Sequence, residues 1–192
     1  MSDPRPSLSS QFCRRQFSLG LACAIGGMGS GFIPTSAHAV LDTLKPISMP
    51  SPKTPFADDS GAEVSLDHWH GAPVLVNFWA TWCPPCVHEL PSLMRLHHIL
   101  KPDGIKVLLI SVDRKGRDKA LPFLEKLGIE GPDLGPDLGF DQQSRLAKAL
   151  ELRGLPTTWC VRSDGQMTAQ ITGDAVWDDP KVIEKIRPYL MG

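Results

Sequence analysis

Residues 73–80, PVLVNFWA, run directly into Thr81-Trp82-Cys83-Pro84-Pro85-Cys86. This junction constrains the fold more than any other part of the chain. A near-continuous run of β-branched and aromatic residues reads as a strand buried on both faces of a central sheet. Beyond the second cysteine, Leu90, Leu93, Met94, Leu96 and Leu100 recur at helical spacing, with Pro91 expected to kink the helix rather than end it. Two cysteines in a CxxC can hold a metal, staple a fold or pass electrons. A CxxC that follows a buried strand and opens a helix is far more specific than the spacing alone.

The elements after the junction build an α/β chain. Residues 105–112, IKVLLISV, read as a second buried strand, so the connection is a right-handed parallel crossover. Helices are expected at 117–127, 142–152 and 180–190, and strands at 154–161 and 167–171, the last two joined by a turn at Ser163-Asp164-Gly165-Gln166. The tandem GPDL at 131–134 and 135–138 is too short a period for a solenoid and reads as a rigid loop. Ahead of the junction, Asp59-Ser60-Gly61 marks a hairpin starting at Phe56. Residues 40–54, rich in Pro, Ser and Lys, read as a linker, and 55–192 as the domain.

The first 39 residues differ in kind. Arg14-Arg15-Gln16-Phe17, a weakly apolar Gly-rich run and Ala37-His38-Ala39 make a basic region, a short apolar stretch and an A-x-A site. This predicts a secretory signal, of twin-arginine type, cleaved after Ala39, and hence a periplasmic location. Cleavage would remove Cys13 and Cys23 and leave Cys83, Cys86 and Cys160, too few for a disulfide scaffold. The formal net charge of −1 excludes a general affinity for nucleic acid. The densest positive run, residues 114–119 (RKGRDK), reads as a solvated loop and helix start.

A helix start presents free N–H groups and positive dipole, which stabilise a thiolate at its first residue. Cys83 is therefore the expected exposed nucleophile, with Cys86, one turn in, as the resolving thiol. Pro84 and Pro85 carry no N–H to offer a Cys83 thiolate, and no His lies between the cysteines. Fewer donors mean a less depressed thiol pKa and a more stable disulfide, hence a reductant. Zinc would need further ligands from Cys160, His68, His70, His88, His97 or His98. Cys160 sits on a core-like strand and the histidines read as surface or turn residues, so no metal and no cofactor are expected. A Cu(I)-handling dithiol that assists metalloenzyme assembly is the alternative, since soft thiolates select that ion.

FWATWCPPC, Pro91 five residues later and the downstream Gly154-Leu155-Pro156-Thr157-Thr158 together resemble the thioredoxin superfamily, and within it the exported TlpA/ResA-like thiol–disulfide oxidoreductases. The resemblance implies a thioredoxin-like fold: a central mixed β-sheet flanked by helices, with an N-terminal β-hairpin extension. It implies a cis-proline loop at Pro156, although on sequence alone Pro156 reads as an ordinary trans turn proline. It further implies substrate contacts from Trp82, Leu155 and Pro156, with Leu155 backbone pairing to a bound strand. Glu89 matches an acidic position of these relatives and would serve as proton partner of Cys86; without the resemblance it reads as a solvent-facing first-turn Glu. Asn77 stands where ordinary thioredoxins carry a buried Asp. A peroxidase of the superfamily would want Thr at position 80, which is Ala80. The implied partners are disulfide-containing exported proteins, apocytochrome c or copper-site proteins among them, and a membrane thiol electron donor. The protein is expected to act as a monomer.

Overall fold

The computed structural model describes residues 42–129 and 135–192, so the expected signal, its twin arginines and the Ala39 cleavage site lie outside the described residues. One eight-stranded sheet organises the rest. Its strands are β1 (Lys45–Pro50), β2 (Phe56–Asp58), β3 (Glu63–Val64), β4 (Val74–Trp79), β5 (Lys106–Ser111), β6 (Asp137–Phe140), β7 (Thr157–Val161) and β8 (Gln166–Thr172). They lie in the order β1-β8-β7-β4-β5-β6-β2-β3. The helices are α1 (Pro84–Leu100), α2 (Arg117–Lys126), α3 (Arg145–Ala149) and α4 (Pro180–Met191).

The PVLVNFWA run is β4, at the centre of the sheet, parallel to β5 and antiparallel to β7, with all six strand residues buried. Because side chains alternate across a strand, Leu75 and Trp79 enter the cluster built with Leu90, Leu93 and Leu96 of α1 and Val182 and Ile186 of α4. Val74, Val76 and Phe78 point the other way, against Leu146 of α3 and Trp159 of β7. The same alternation turns Asn77 towards α1. Helix α1 continues through Pro91 without ending, as expected. The hairpin also forms: Asp58 Oδ1 accepts the Ser60 N–H, the Ser60 hydroxyl and the Ala62 N–H, and Gly61 takes φ +89°.

Four expectations are corrected. The span read as a linker contains β1, which adds antiparallel to β8; its two prolines are tolerated because an edge strand can spare ladder donors. The second GPDL copy is not wholly loop: Asp137 and Leu138 open β6, since the open edge of β5 supplies parallel partners and the Trp69 indole N–H donates to Asp137 Oδ2 at 2.7 Å. The first copy, 131–134, lies outside the described residues. The helix expected over 142–152 shrinks to α3, because the Asp141 carboxylate receives the N–H groups of Arg145 and Ala147, both at 2.8 Å, and so starts the helix late. His97, read as helix surface, is 4% exposed, because it follows Leu93 by one turn and shares its buried face.

Gly139 marks a close join of the hairpin to the sheet. A Cβ there would sit 2.8 Å from Phe56 Cε2 and 3.2 Å from Ile110 Cγ1, and Phe56 is buried against the Trp69 ring, with centroids 6.0 Å apart. Gly139→Ala is expected to lower unfolding stability by about 1–3 kcal/mol through overpacking, read by denaturant melts. A neutral result would mean that the hairpin yields freely.

Candidate active site

Helix α1 starts at the cysteine pair because Cys83 is its N-cap, in extended backbone (φ −102°, ψ 99°), with Pro84 and Pro85 at the first helical positions, where missing N–H groups cost nothing. Cys83 and Cys86 are joined in a disulfide. The first N–H available inside the helix is that of Cys86, which donates to Cys83 Sγ at 3.3 Å. Cys83 is less open than expected, at 5% exposure, and Cys86 is sealed at 0%. The disulfide folds the Cys83 sulfur back over the helix start. Trp82 beside it is 66% exposed, the most exposed large hydrophobic side chain among the described residues.

Glu89 is not the solvent-facing residue that a first-turn Glu usually is. It is 1% exposed, and three N–H groups converge on its carboxyl. Asn77 Nδ2 donates to Oε1 at 2.7 Å, while the Trp177 indole at 2.8 Å and the Ala175 amide at 3.1 Å donate to Oε2. Burial nevertheless dominates these donors and pushes the carboxyl up to about 8 from its ordinary 4.5. Asn77 also donates to Thr158 Oγ1 at 2.9 Å, while its own Oδ1 has no partner among the described residues. Ser92 fastens the same loop to α1: its Oγ lies 2.8 Å from the Glu89 carbonyl and 3.2 Å from that of Ala175, and accepts the Trp177 N–H at 3.1 Å.

Sequence reasoning missed Trp177, Ser92 and Asp113. Trp177 lies far from the motif, and its only sequence signal is a lone Trp after the last strand. Asp113 lies two residues past the end of β5 and is 3% exposed; its carboxylate accepts the Thr81 N–H at 2.9 Å, the Thr81 hydroxyl at 2.8 Å and the Ser111 hydroxyl at 2.9 Å. It therefore fixes the approach to Trp82. The Leu155–Pro156 bond is cis, Pro156 is buried, and Leu155 is partly buried against both apolar clusters. Cys160 is a fully buried core residue whose thiol burial pushes up to about 12. His88 is exposed, 3.3 Å from Asp174. Neither ring nitrogen of His97 has a hydrogen-bond partner among the described residues, and burial lowers its pKa.

The raised Glu89 pKa ties stability to pH. Between about 4.5 and 8 the folded state holds a proton that the unfolded chain has lost, so stability falls as pH rises through this window and levels above 8. Glu89→Gln is expected to remove that slope, so that the wild type loses on the order of a few kcal/mol relative to the variant across the window. Trp177→Phe takes away a donor that favours the carboxylate and is expected to move the Glu89 titration further up, seen by carboxyl carbon NMR. A Glu89 titration near 4.5 would contradict both.

A family model described as the AhpC/TSA family matches residues 45–170. The chain is 29% identical over 147 residues to the thiol–disulfide oxidoreductase ResA of Geobacillus kaustophilus, covering 76% of this chain and 81% of that protein. It is 27% identical over 164 residues to ResA of Bacillus subtilis, covering 84% of each. Among solved structures, a secreted thiol–disulfide isomerase from Corynebacterium glutamicum superposes with a TM-score of 0.61 at 22% identity, over 77% of this chain and 91% of that one. The thioredoxin domain of a thiol–disulfide oxidoreductase from Bacteroides vulgatus superposes with a TM-score of 0.60 at 19% identity, over 74% and 96%. The thioredoxin-like architecture that the resemblance implied is the one these neighbours share. The chain belongs to the AhpC/TSA family, and it is a thiol–disulfide oxidoreductase built on a thioredoxin-like fold.

Proposed function

We propose that this protein reduces disulfides of exported, periplasmic proteins by dithiol exchange, with Cys83 as attacking thiol, Cys86 as resolving thiol and Glu89 as the proton partner of Cys86. The observation that carries the reading is a sealed Cys86 followed, one turn along the same helix face, by a buried carboxyl. The Cys83 thiolate attacks a substrate disulfide, forming a mixed disulfide and releasing one substrate thiolate. Cys86 gives its proton to the Glu89 carboxylate and attacks the Cys83 sulfur, which expels the second substrate thiolate. The protein is left as the Cys83–Cys86 disulfide and the substrate has gained two electrons. A carboxyl pushed up to about 8 is a stronger base than an ordinary carboxylate, which suits it to take a proton from a thiol. Asn77 cannot take that proton, but its amide holds the Glu89 carboxyl in place.

Direction is argued from donors. Pro84 and Pro85 offer none, which leaves the Cys86 N–H as the helix-start donor to the Cys83 sulfur and keeps the thiolate weakly stabilised. A reductant in an oxidising compartment needs resupply, so a membrane thiol carrier is the electron donor of this reading. Trp82 and the Leu155-Pro156 loop form the substrate contact. The leader, through twin-arginine export and cleavage after Ala39, places the domain in the periplasm. Apocytochrome c and copper-site proteins are the substrate classes that this location favours.

Cys86→Ser is expected to accumulate partner proteins as mixed disulfides on Cys83, and Cys83→Ser to accumulate none; diagonal gels read both. Absence of any linked partner with Cys86→Ser would remove the exchange mechanism. The Cys83–Cys86 potential is expected below about −200 mV, whereas a value near −120 mV, typical of strong oxidants, would reverse the direction. Glu89→Gln is expected to slow release of the mixed disulfide about 10- to 100-fold while leaving its formation unchanged, and to abolish the rise in resolution rate with pH up to about 8.

A further inference from the structure

The basic run at residues 114–119, a solvated loop by sequence, stands beside the redox pair. A groove of about 700 Å³ opens next to Trp82 and is walled by Arg114, Lys115 and Lys119, with Thr81 and Ser144 along its floor. All three cations are exposed. Arg95, Arg145, Arg162 and Arg187 each bind a carboxylate elsewhere on the surface, but these three have no ion pair among the described residues. The one carboxylate in the lining, Asp113, is buried and turned to Thr81 and Ser111.

The placement is held by bonds. Asp113 immediately precedes Arg114, and Thr81 immediately precedes Trp82. The two Thr81–Asp113 hydrogen bonds, at 2.9 and 2.8 Å, therefore clamp the basic loop to the loop that carries the dithiol. Gly116 closes the turn with its N–H on the Asp113 carbonyl at 2.7 Å, at φ +48°, where a Cβ would fall 2.2 Å from Gln142 Cγ. Lys119 and Ala120 then donate back to the Gly116 carbonyl, which starts α2 and sets Lys119 along the same wall. Cations fixed beside an exposed Trp and a disulfide form a surface charged for one kind of partner.

We propose that this groove is a docking site for an acidic segment of the substrate protein, so that disulfides flanked by Asp and Glu are reduced preferentially. This rests on the reductase reading. Field from clustered cations acts on encounter more than on the chemical step, raising on-rates by about tenfold or more, and salt screens it.

The test uses the reduced protein and three disulfide-linked peptides of equal length with acidic, neutral or basic flanks. At about 10 mM salt the acidic peptide is expected to react about tenfold faster than the basic one, and the gap to close towards unity at about 1 M, where the screening length falls from about 30 to about 3 Å. Arg114→Glu with Lys115→Glu and Lys119→Glu is expected to invert the order while leaving the neutral peptide and the melting temperature unchanged. The matching Gln variant is expected to lose the preference without inverting it. Equal rates for all peptides, or the same order in wild type and the Glu variant, would overturn the proposal. If no peptide is reduced, the reductase reading fails by itself. The groove is then read from binding of a cysteine-free acidic peptide to the oxidised protein, where affinity indifferent to the Glu substitutions would overturn it.

Discussion

The site is organised around a buried carboxyl held by three N–H donors. Glu89 lies on α1 between the sheet and the loop after β8, and its partners come from both: Asn77 from β4, Ala175 and Trp177 from the loop. A carboxylate removed from water is costly unless hydrogen-bonded, and here each of its oxygens is engaged. The donors lower the cost without cancelling burial, which is why the group titrates near 8 rather than in the usual carboxylate range. Its position on α1 is thereby tied to two further elements, and Ser92 adds a second fastening of the same loop to the same helix.

The cysteine pair depends on this arrangement from one side and on Asp113 from the other. Asp113 holds Thr81, and so the last residues before the helix, through donors that carry no charge. The dithiol loop is therefore anchored at its entry by the loop just after β5, while Glu89 is clamped one turn past Cys86. Rigid supports of this kind keep a reactive group in one geometry through a cycle in which its covalent partner changes. The dithiol itself is a helix start with the Cys86 N–H on the Cys83 sulfur and a sealed second thiol, and the proposed exchange adds only Glu89 as proton acceptor.

Much of this was legible in the sequence because the signals were local. The β4 run, the strand–CxxC–helix junction, the hairpin at Asp59-Ser60-Gly61 and the fully buried Cys160 follow from composition and period. The resemblance carried Glu89 and the cis bond at Pro156, which spacing alone left open. Elements that draw their partners from distant segments were misread. β1 is a proline-containing strip that becomes a strand because β8 has an open edge, and Asp137-Leu138 becomes one because β5 does. His97 looked like surface until the opposing core was in place.

By itself, the sequence determined the strand–helix junction, the dithiol at a helix start and the lack of donors in its two prolines, because backbone chemistry and side-chain period act over a few residues. Only the tertiary structure decided that Glu89 is buried and what binds it, since Trp177 lies 88 residues away and no local rule pairs them. It also decided that a basic run 31 residues beyond Cys83 stands beside Trp82, because the parallel crossover returns β5 next to β4 and two hydrogen bonds from Asp113 lock the loops together.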